Sequence, residues 1–251
     1  MSKDLFINFI KSFIKLNRFY CRQLEKNFPN FFGDPDNYNE DIKKLIDSYI
    51  KDNSPRSILE AGGVNRPILK KSNDYIYFGL DIDDQPSYHN IYDTFLFQSI
   101  EKPLDQKFDL IISKTLLEHV PDNTKSLKVI YDALQNNGMM MHYIPCKYHF
   151  YSMILRMIGS KLQKFLIHYL RPETEFVTGY PVFFNKCSAH SMENLCKNIG
   201  FRKVEIKTYY RATDYFSFFV PVFVIISIFE NLFKFFDLKV FASGIILVAK
   251  K

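Results

Sequence analysis

The chain has 251 residues, 47% of them hydrophobic and 24% charged, which is typical of a folded soluble protein and favours one large domain. The net charge of +6 is spread along the chain without a run of like charges, which argues against a nucleic-acid partner. The four cysteines lie far apart and match no zinc-ligand spacing, so we expect free thiols, no metal site and a cytoplasmic protein.

The first predicted element is an amphipathic helix. In residues 5–26 apolar side chains recur at helical spacing, with basic residues among them, and residues 38–52 repeat the helical pattern. We therefore predict an N-terminal helical segment, 1–53, that packs on the core. For the first helix, contact with a membrane surface and contact with a second subunit stay open as further interpretations.

From residue 54 onward strands and helices alternate, a pattern typical of a parallel sheet covered on both faces. The predicted strands span residues 56–61, 75–82, 89–93, 108–113, 138–145, 201–210 and 242–250. We predict an α/β fold: a Rossmann-like, doubly wound sheet, mostly parallel with an antiparallel last strand, in a domain that spans 54–251.

A helix cap, a helix stop and two insertions are predicted within this domain. Asp122 can cap a helix that the Asn-Asn-Gly run at 136–138 stops. Helical insertions are predicted at 146–186 and 211–241, the first ending in a loop over 171–185. In the second, the uncharged run 215–229 is shorter than the ~20 residues of a spanning helix, so core, subunit interface and membrane-facing patch all remain open.

The stretch "SILEAGGVNRPIL", residues 57–69, places a carboxylate where a strand meets a glycine turn. Such turns often bind a phosphate, but Glu60 would repel one. Asp81 ends the next strand, and the carboxyl ends of parallel strands are where ligands bind in open α/β sheets. A strand-end carboxylate can accept hydrogen bonds from both hydroxyls of a ribose.

Two nucleoside cofactors could use Asp81. A nicotinamide dinucleotide needs a Gly-x-Gly-x-x-Gly turn for its pyrophosphate, whereas Val64 and Arg66 follow Gly63 in this chain. S-adenosylmethionine carries a cationic amine and sulfonium and no phosphate, so Glu60 would attract it. The pattern favours S-adenosylmethionine over a nicotinamide-dependent oxidoreductase.

The order of these motifs resembles the class I S-adenosylmethionine-dependent methyltransferases, over roughly residues 55–145. The acidic glycine turn is "LEAGG", the strand-end acid is Asp81, and "FDLIISKTLLEHVPD" and "LQNNGMMMHYIP" are similar to the family's fourth and fifth strands with their following residues. The turn 62–67 looks like the Gly-Gly-Gly-x-x-Pro turn of some methyltransferases associated with surface polysaccharides.

The resemblance implies S-adenosylmethionine as the cofactor. The implied cofactor-binding residues lie at or near the ends of the first four strands: Glu60, Ala61, Gly62, Gly63, Asp81, Ile82, Asp93 and Ser113. Asp93 would accept from the adenine amino group or close a turn, and Ile82 would pack on adenine. His119 is the candidate base for an acceptor hydroxyl, with orientation of its loop as the alternative.

The expected activity is O-methylation of a small molecule, sugar or glycan, in surface-polysaccharide biosynthesis. The alternatives are a quinone or other lipid acceptor, and a non-catalytic methyltransferase-like binding subunit, which Val64 and Arg66 in the turn would suit. The protein is expected in the cytoplasm, with peripheral contact with the inner face of the membrane and a homodimer left open.

Overall fold

The computed structural model describes residues 3–34, 36–64, 66–170, 180–212 and 215–251. The helices are α1 (Lys3–Asn27), α2 (Pro29–Phe32), α3 (Tyr38–Asn53), α4 (Tyr88–Ile91), α5 (Asn123–Ala133), α6 (Phe150–Leu170), α7 (Ala189–Ile199) and α8 (Val220–Phe235). The strands are β1 (Ser57–Ala61), β2 (Ile76–Asp81), β3 (Thr94–Phe97), β4 (Phe108–Lys114), β5 (Leu134–Pro145), β6 (Lys203–Tyr209) and β7 (Gly244–Lys250).

The strands form one seven-stranded sheet in the order β3-β2-β1-β4-β5-β7-β6. Strands β1 to β5 pair in parallel, and β7 runs antiparallel to β5. The predicted Rossmann-like fold with an antiparallel last strand is confirmed. The central strands are buried on both faces, as Leu59 and Ile111 show on one face and Ile58 and Ile112 on the other, which is why they read as continuous apolar runs.

The chain divides into two compact units. The sheet unit comprises residues 38–147, 182–208 and 244–251, and the helical unit comprises 1–37, 148–181 and 209–243. This division lies at residue 37 rather than at the predicted 53, because α3 packs on the sheet: Tyr38 stacks on Tyr143 at 3.8 Å, and the Tyr49 hydroxyl donates to Asp109 O at 3.1 Å.

Two local predictions of the sheet unit differ from the structure. Asp122 does cap α5, accepting from the backbone N–H of Thr124 at 2.9 Å, but α5 ends at Ala133 and β5 begins at once. The strand predicted at 89–93 was wrong, since this stretch forms α4 and the strand follows at Thr94–Phe97. Aromatic and β-branched residues run through both stretches, so their pattern did not fix the strand's start.

The helical unit collects α1, α2, α6 and α8. At its centre Glu230 is fully buried: Arg211 Nη1 lies 3.3 Å from one carboxylate oxygen, and His149 Nε2 lies 3.2 Å from the other. The backbone N–H of Ala212 also donates to Glu230 at 2.9 Å. A buried carboxylate is therefore paired and hydrogen-bonded, as its burial requires.

Gly159, at φ +67°, kinks α6. Of the predicted loop over 171–185, residues 171–179 lie outside the described residues, and residues 180–185 have no regular helix or strand. Among the described helices, none combines the length and apolar character needed to cross a membrane.

Candidate active site

The candidate site is built on the sheet unit, where the carboxyl ends of β1, β2 and β4 lie side by side. In the registers of these parallel pairs, Ala61 lies opposite Leu80 on one side and Ser113 on the other. Asp81 follows Leu80 at the end of β2. Topology thus brings together the three strand ends that the sequence marked as functional.

The glycines of the turn after β1 are required by close packing. A Cβ on Gly62, whose φ is +75°, would lie 3.0 Å from the Leu116 side chain. A Cβ on Gly63 would lie 2.3 Å from Glu60 Oε1 and 2.6 Å from the Tyr92 hydroxyl. The backbone can follow this course only without side chains at these two positions.

Val64 continues the turn at φ +35°, in the left-handed region. A β-branched residue is strained there, and such strain is characteristic of functional turns. The Tyr92 hydroxyl donates to Val64 O at 3.4 Å, and the N–H of Arg66 donates to Gly63 O at 2.8 Å. The turn is therefore held from both sides in a conformation that the isolated sequence disfavours.

Glu60 lies inside the unit, with 1% of its surface exposed. Its carboxylate accepts from the backbone N–H of Ile68 at 3.0 Å and from the Tyr77 hydroxyl. Burial raises its pKa to about 7, partly offset by these donors. Glu60 thus fastens the chain beyond the glycine turn, a role in addition to the predicted attraction of a cationic cofactor.

Asp81 and its neighbours are the residues expected to contact the ribose and adenine of the cofactor. One Asp81 carboxylate oxygen accepts from the N–H of Asp83 at 2.9 Å, and partial burial raises the pKa of Asp81. Ile82 is 65% exposed and Phe97, at the end of β3, is 64% exposed. Two exposed apolar side chains beside a strand-end carboxylate suit the flat ring and the diol of a nucleoside.

The connection from β1 to β2 bears on the choice of cofactor. In its described residues, 62–64 and 66–75, it contains no helix. A dinucleotide site places its pyrophosphate at the N-terminus of a helix that follows the glycine turn. The described part of this connection offers no such helix, so it fits a cofactor without phosphate better.

Glu118 and His119 follow β4 in a short 3₁₀ helix, Leu117–His119. The Glu118 side chain is buried, and burial raises its pKa to about 8, so it is mostly protonated at neutral pH. Its Oε2 has no hydrogen-bond partner in the described part of the chain. His119 Nε2 lies 3.8 Å from Glu118 Oε1, and the His119 side chain is 32% exposed.

The segment after the first insertion borders this pair. The N–H groups of Phe183 and Phe184 donate to Glu118 O at 2.8 and 3.0 Å, and Asn123 Nδ2 donates to Leu117 O at 2.8 Å. These bonds fix the loop that carries His119. The sequence could have singled out Glu118, because it stands next to His119 in the fourth-strand motif.

The comparisons with known proteins agree with this geometry. A family described as a methyltransferase domain matches residues 35–206. The chain belongs to this methyltransferase family. The fold and motif order place the protein in class I, whose members use S-adenosylmethionine, and the cofactor expected from the sequence is therefore the cofactor of its family. No curated protein sequence matches the chain significantly.

Solved structures share the methyltransferase's fold at low identity. Phosphoethanolamine N-methyltransferase 2 from Haemonchus contortus, in complex with S-adenosyl-L-methionine, is 13% identical with a TM-score of 0.51, over 93% of this chain and 57% of that one. The carbon methyltransferase CurJ is also 13% identical with a TM-score of 0.51, over 84% and 53%. This chain thus spans little more than half of either protein.

A SAM-dependent methyltransferase from Archaeoglobus fulgidus is 15% identical with a TM-score of 0.49, over 92% of this chain and 99% of that one. The names of these three proteins cover both carbon and nitrogen acceptors. Fold similarity at this identity therefore leaves the acceptor of the present methyltransferase to be argued from its own residues.

Of the predicted cofactor residues of the methyltransferase, Ala61 and Ser113 are buried like Glu60, and Asp93 lies away from the strand ends. Asp93 precedes β3 and accepts from the N–H of Tyr77 at 2.8 Å, at the amino end of β2, so it is far from the carboxyl ends where Asp81 lies. Ser113 is fully buried, and its hydroxyl lies 2.7 Å from His142 Nδ1. Burial lowers the pKa of His142 to about 3, so this pair is neutral.

Gln98 occupies the place that the sequence analysis gave to Asp93. It directly follows β3, and its N–H donates to Asp81 O at 3.0 Å. Its side-chain Nε2 donates to Pro103 O at 3.3 Å, which leaves the amide oxygen as an acceptor suited to an amino group. The misplaced third strand is the reason that sequence reasoning missed this residue.

Proposed function

We propose that this methyltransferase transfers the methyl group of S-adenosylmethionine to an oxygen of a small molecule, sugar or glycan in surface-polysaccharide biosynthesis. The observation that carries the proposal is His119, a partly exposed imidazole next to buried Glu118 directly after β4. An alcohol must lose its proton as its oxygen is methylated, and an imidazole can accept a proton near neutral pH.

The residues of the site would contact different parts of the cofactor. Gly62 and Gly63 would hold the amino-acid end of S-adenosylmethionine, Asp81 its ribose, and Ile82 its adenine. When bound, the cofactor supplies a methyl group on a cationic sulfur, which is already a good electrophile. The protein then contributes mainly orientation, which can equal ~10⁵ M in effective concentration, and proton acceptance at His119.

Glu118 acts as a positioning residue in this scheme. Because its pKa is raised to about 8, it is mostly a neutral acid at pH 7 and a poor proton acceptor. Its backbone carbonyl ties the loop of His119 to residues 183–184. The base in the proposal is therefore His119 rather than the glutamate beside it.

The glycan assignment is supported by the resemblance of the turn 62–67 to methyltransferases of surface polysaccharides. A lipid or quinone acceptor is the second candidate, favoured by large exposed apolar side chains of the helical unit such as Phe235, which is 81% exposed. The cytoplasmic location is also part of the proposal, since the four cysteines are free thiols, as is usual in a reducing compartment.

The first test is calorimetric titration of the purified protein with S-adenosylmethionine, with NAD as the comparison ligand. We expect saturable binding of S-adenosylmethionine alone. Folded protein that binds neither ligand would overturn the enzymatic proposal in favour of a non-catalytic subunit, and binding of NAD would redirect it to redox chemistry. A matched control is Asp105→Asn, an exposed carboxylate, against Asp81→Asn, which should weaken binding severalfold.

The second test follows transfer of a labelled methyl group from S-adenosylmethionine to nucleotide sugars and short glycans, with quinones as the lipid alternative. We expect transfer to a hydroxyl of the sugar acceptors, and His119→Ala to lower kcat by about 10²-fold or more. The exposed His89 offers the matched control His89→Ala. Equal rates for the two variants would remove His119 as the base, and transfer to quinones alone would select the lipid acceptor.

A further inference from the structure

Helix α1 turns large apolar side chains to the outside of the helical unit. Its buried side carries Ile14, Asn17 and Cys21. Its exposed apolar residues follow a spacing of four, three and four, with exposed fractions of 65%, 44%, 53% and 52%: Phe9, Phe13, Leu16 and Tyr20. At about 100° per residue, this spacing places them on one stripe along the helix.

A basic stripe runs along the same helix. Its members are spaced by four, three, four and four residues: Lys11, Lys15, Arg18, Arg22 and Lys26. By the same helical geometry this stripe lies about 150° around the helix from the apolar stripe and about 110° from the buried side, so it forms a basic face of α1. A helix with basic residues on one face and large apolar residues on the other is typical of helices that lie in the membrane interface.

Helix α8 is apolar on its exposed side as well as on its buried side. Its buried side carries Phe223 and Ile226 together with the polar Ser227 and Glu230. Its outer side carries apolar residues that are 42–81% exposed: Ile225, Ile228, Phe229, Leu232 and Phe235. A contiguous exposed apolar face of this kind marks a binding surface.

The two helices are joined where these stripes meet. Asn17 Oδ1 of α1 accepts from the N–H of Val220 at 2.9 Å and so satisfies a free donor at the start of α8. The Phe13 ring lies 6.1 Å from the ring of Phe219, which precedes α8. These contacts hold the middle of α1 against the start of α8, so both helices with exposed apolar residues belong to one packed unit.

We propose that α1 and α8 dock the helical unit on an anionic phospholipid bilayer. Charge selects this occupant: the five basic residues of the stripe on α1 are attracted to anionic headgroups, whereas a second copy of the chain would bring more positive charge. The apolar stripe supplies the area that enters the bilayer interface. The surface stands apart from the methyl-transfer proposal, because it uses no residue of the sheet unit.

Sedimentation with vesicles tests the proposal on the full chain without cofactor. We expect the protein to pellet with vesicles that contain phosphatidylglycerol, far less with pure phosphatidylcholine, and less as salt rises. The double variant Lys15→Glu/Arg22→Glu should lower partitioning at least about tenfold. Lys43→Glu/Lys51→Glu on α3 is the matched control and should leave partitioning nearly unchanged.

A second pair of variants tests the apolar stripe of α1. Phe9→Ser/Leu16→Ser should abolish pelleting, while Leu45→Ser/Ile76→Ser, at exposed positions of the sheet unit, should not. Circular dichroism checks that each variant is folded. Absence of pelleting by the parent chain, or equal binding to both lipids, would overturn the proposal.

A second copy is distinguished by light scattering. A dimer that forms without vesicles, and that Phe9→Ser/Leu16→Ser dissociates, would show that this surface joins two chains and would also overturn the proposal. Neither result affects calorimetric binding of S-adenosylmethionine, so failure of the membrane proposal is separable from failure of the enzymatic one.

Discussion

Each unit of this protein contains a buried glutamate, Glu230 in the helical unit and Glu60 in the sheet unit, and the two differ in the groups that contact them. In the helical unit, the cationic Arg211 lies 3.3 Å from the Glu230 carboxylate and His149 lies 3.2 Å from it. In the sheet unit, Glu60 receives neutral donors among the described residues, including the Ile68 N–H and the Tyr77 hydroxyl. The pKa of Glu60 is accordingly raised to about 7.

The two buried glutamates therefore differ in how their burial is compensated: a cation lies against Glu230, whereas neutral hydrogen-bond donors lie against Glu60. The sheet unit keeps acids with raised pKa values, Glu60 and Glu118, beside its candidate site. Perturbed acids of this kind are characteristic of functional sites.

The largest expected effect concerns the buried ion pair of the helical unit. Glu230→Ala removes the acceptor of Arg211 Nη1 and of the Ala212 N–H, together with the carboxylate beside His149, so the free energy of unfolding should fall by about 3–5 kcal/mol. Chemical denaturation measures it. Asp36→Ala, which removes a surface ion pair with Lys234, is the control and should cost at most about 1 kcal/mol. If Glu230→Ala also lowered the free energy of unfolding by no more than about 1 kcal/mol, the buried ion pair would stabilise the protein no more than the surface pair does.

The pH dependence of the free energy of unfolding tests the raised pKa of Glu118 in the sheet unit. The unfolded chain loses the Glu118 proton above its ordinary pKa of 4.5, whereas the folded protein keeps it until about pH 8. The unfolded state therefore binds fewer protons in this window, and stability falls as pH rises from 5 to 8. The decrease should be roughly 2–4 kcal/mol greater in the parent chain than in Glu118→Gln.

The measurement is the free energy of unfolding of both proteins at pH 5 and pH 8. Glu60, whose pKa is also raised, contributes a decrease of the same sign to both proteins and so cancels in the difference. Parallel pH profiles would show that Glu118 titrates normally in the folded state. The proposed role of a neutral Glu118 beside His119 would then be wrong.

The smallest of the three effects concerns the turn that Glu60 supports. A methyl group on Gly63 would overlap Glu60 Oε1 at 2.3 Å, so Gly63→Ala must displace the turn, and we expect its Kd for S-adenosylmethionine to rise at least about tenfold. Gly159→Ala in α6, where an added methyl meets nothing within 4 Å, is the control. An unchanged Kd for Gly63→Ala would exclude the turn from the cofactor site.

The sequence by itself determined the fold class, the family and the cofactor. Buried parallel strands read as uninterrupted apolar runs, and the acid-glycine turn with Asp81 one strand later is a local pattern that topology turns into a site. These features need only chain order. The subtype of acceptor stays a proposal, because the residues that would select it are not fixed by those motifs.

Only the tertiary structure decided which polar residues face inward. Asp93 and Ser113 are polar residues near strand ends, yet Asp93 lies at the opposite edge of the sheet and Ser113 is bonded to His142. The sequence could not place Gln98 or the inward-facing Glu60, because hydrogen-bond partners such as Tyr77 are distant in the chain. A side chain's exposure and pKa depend on such distant neighbours, whereas secondary structure depends mainly on near ones.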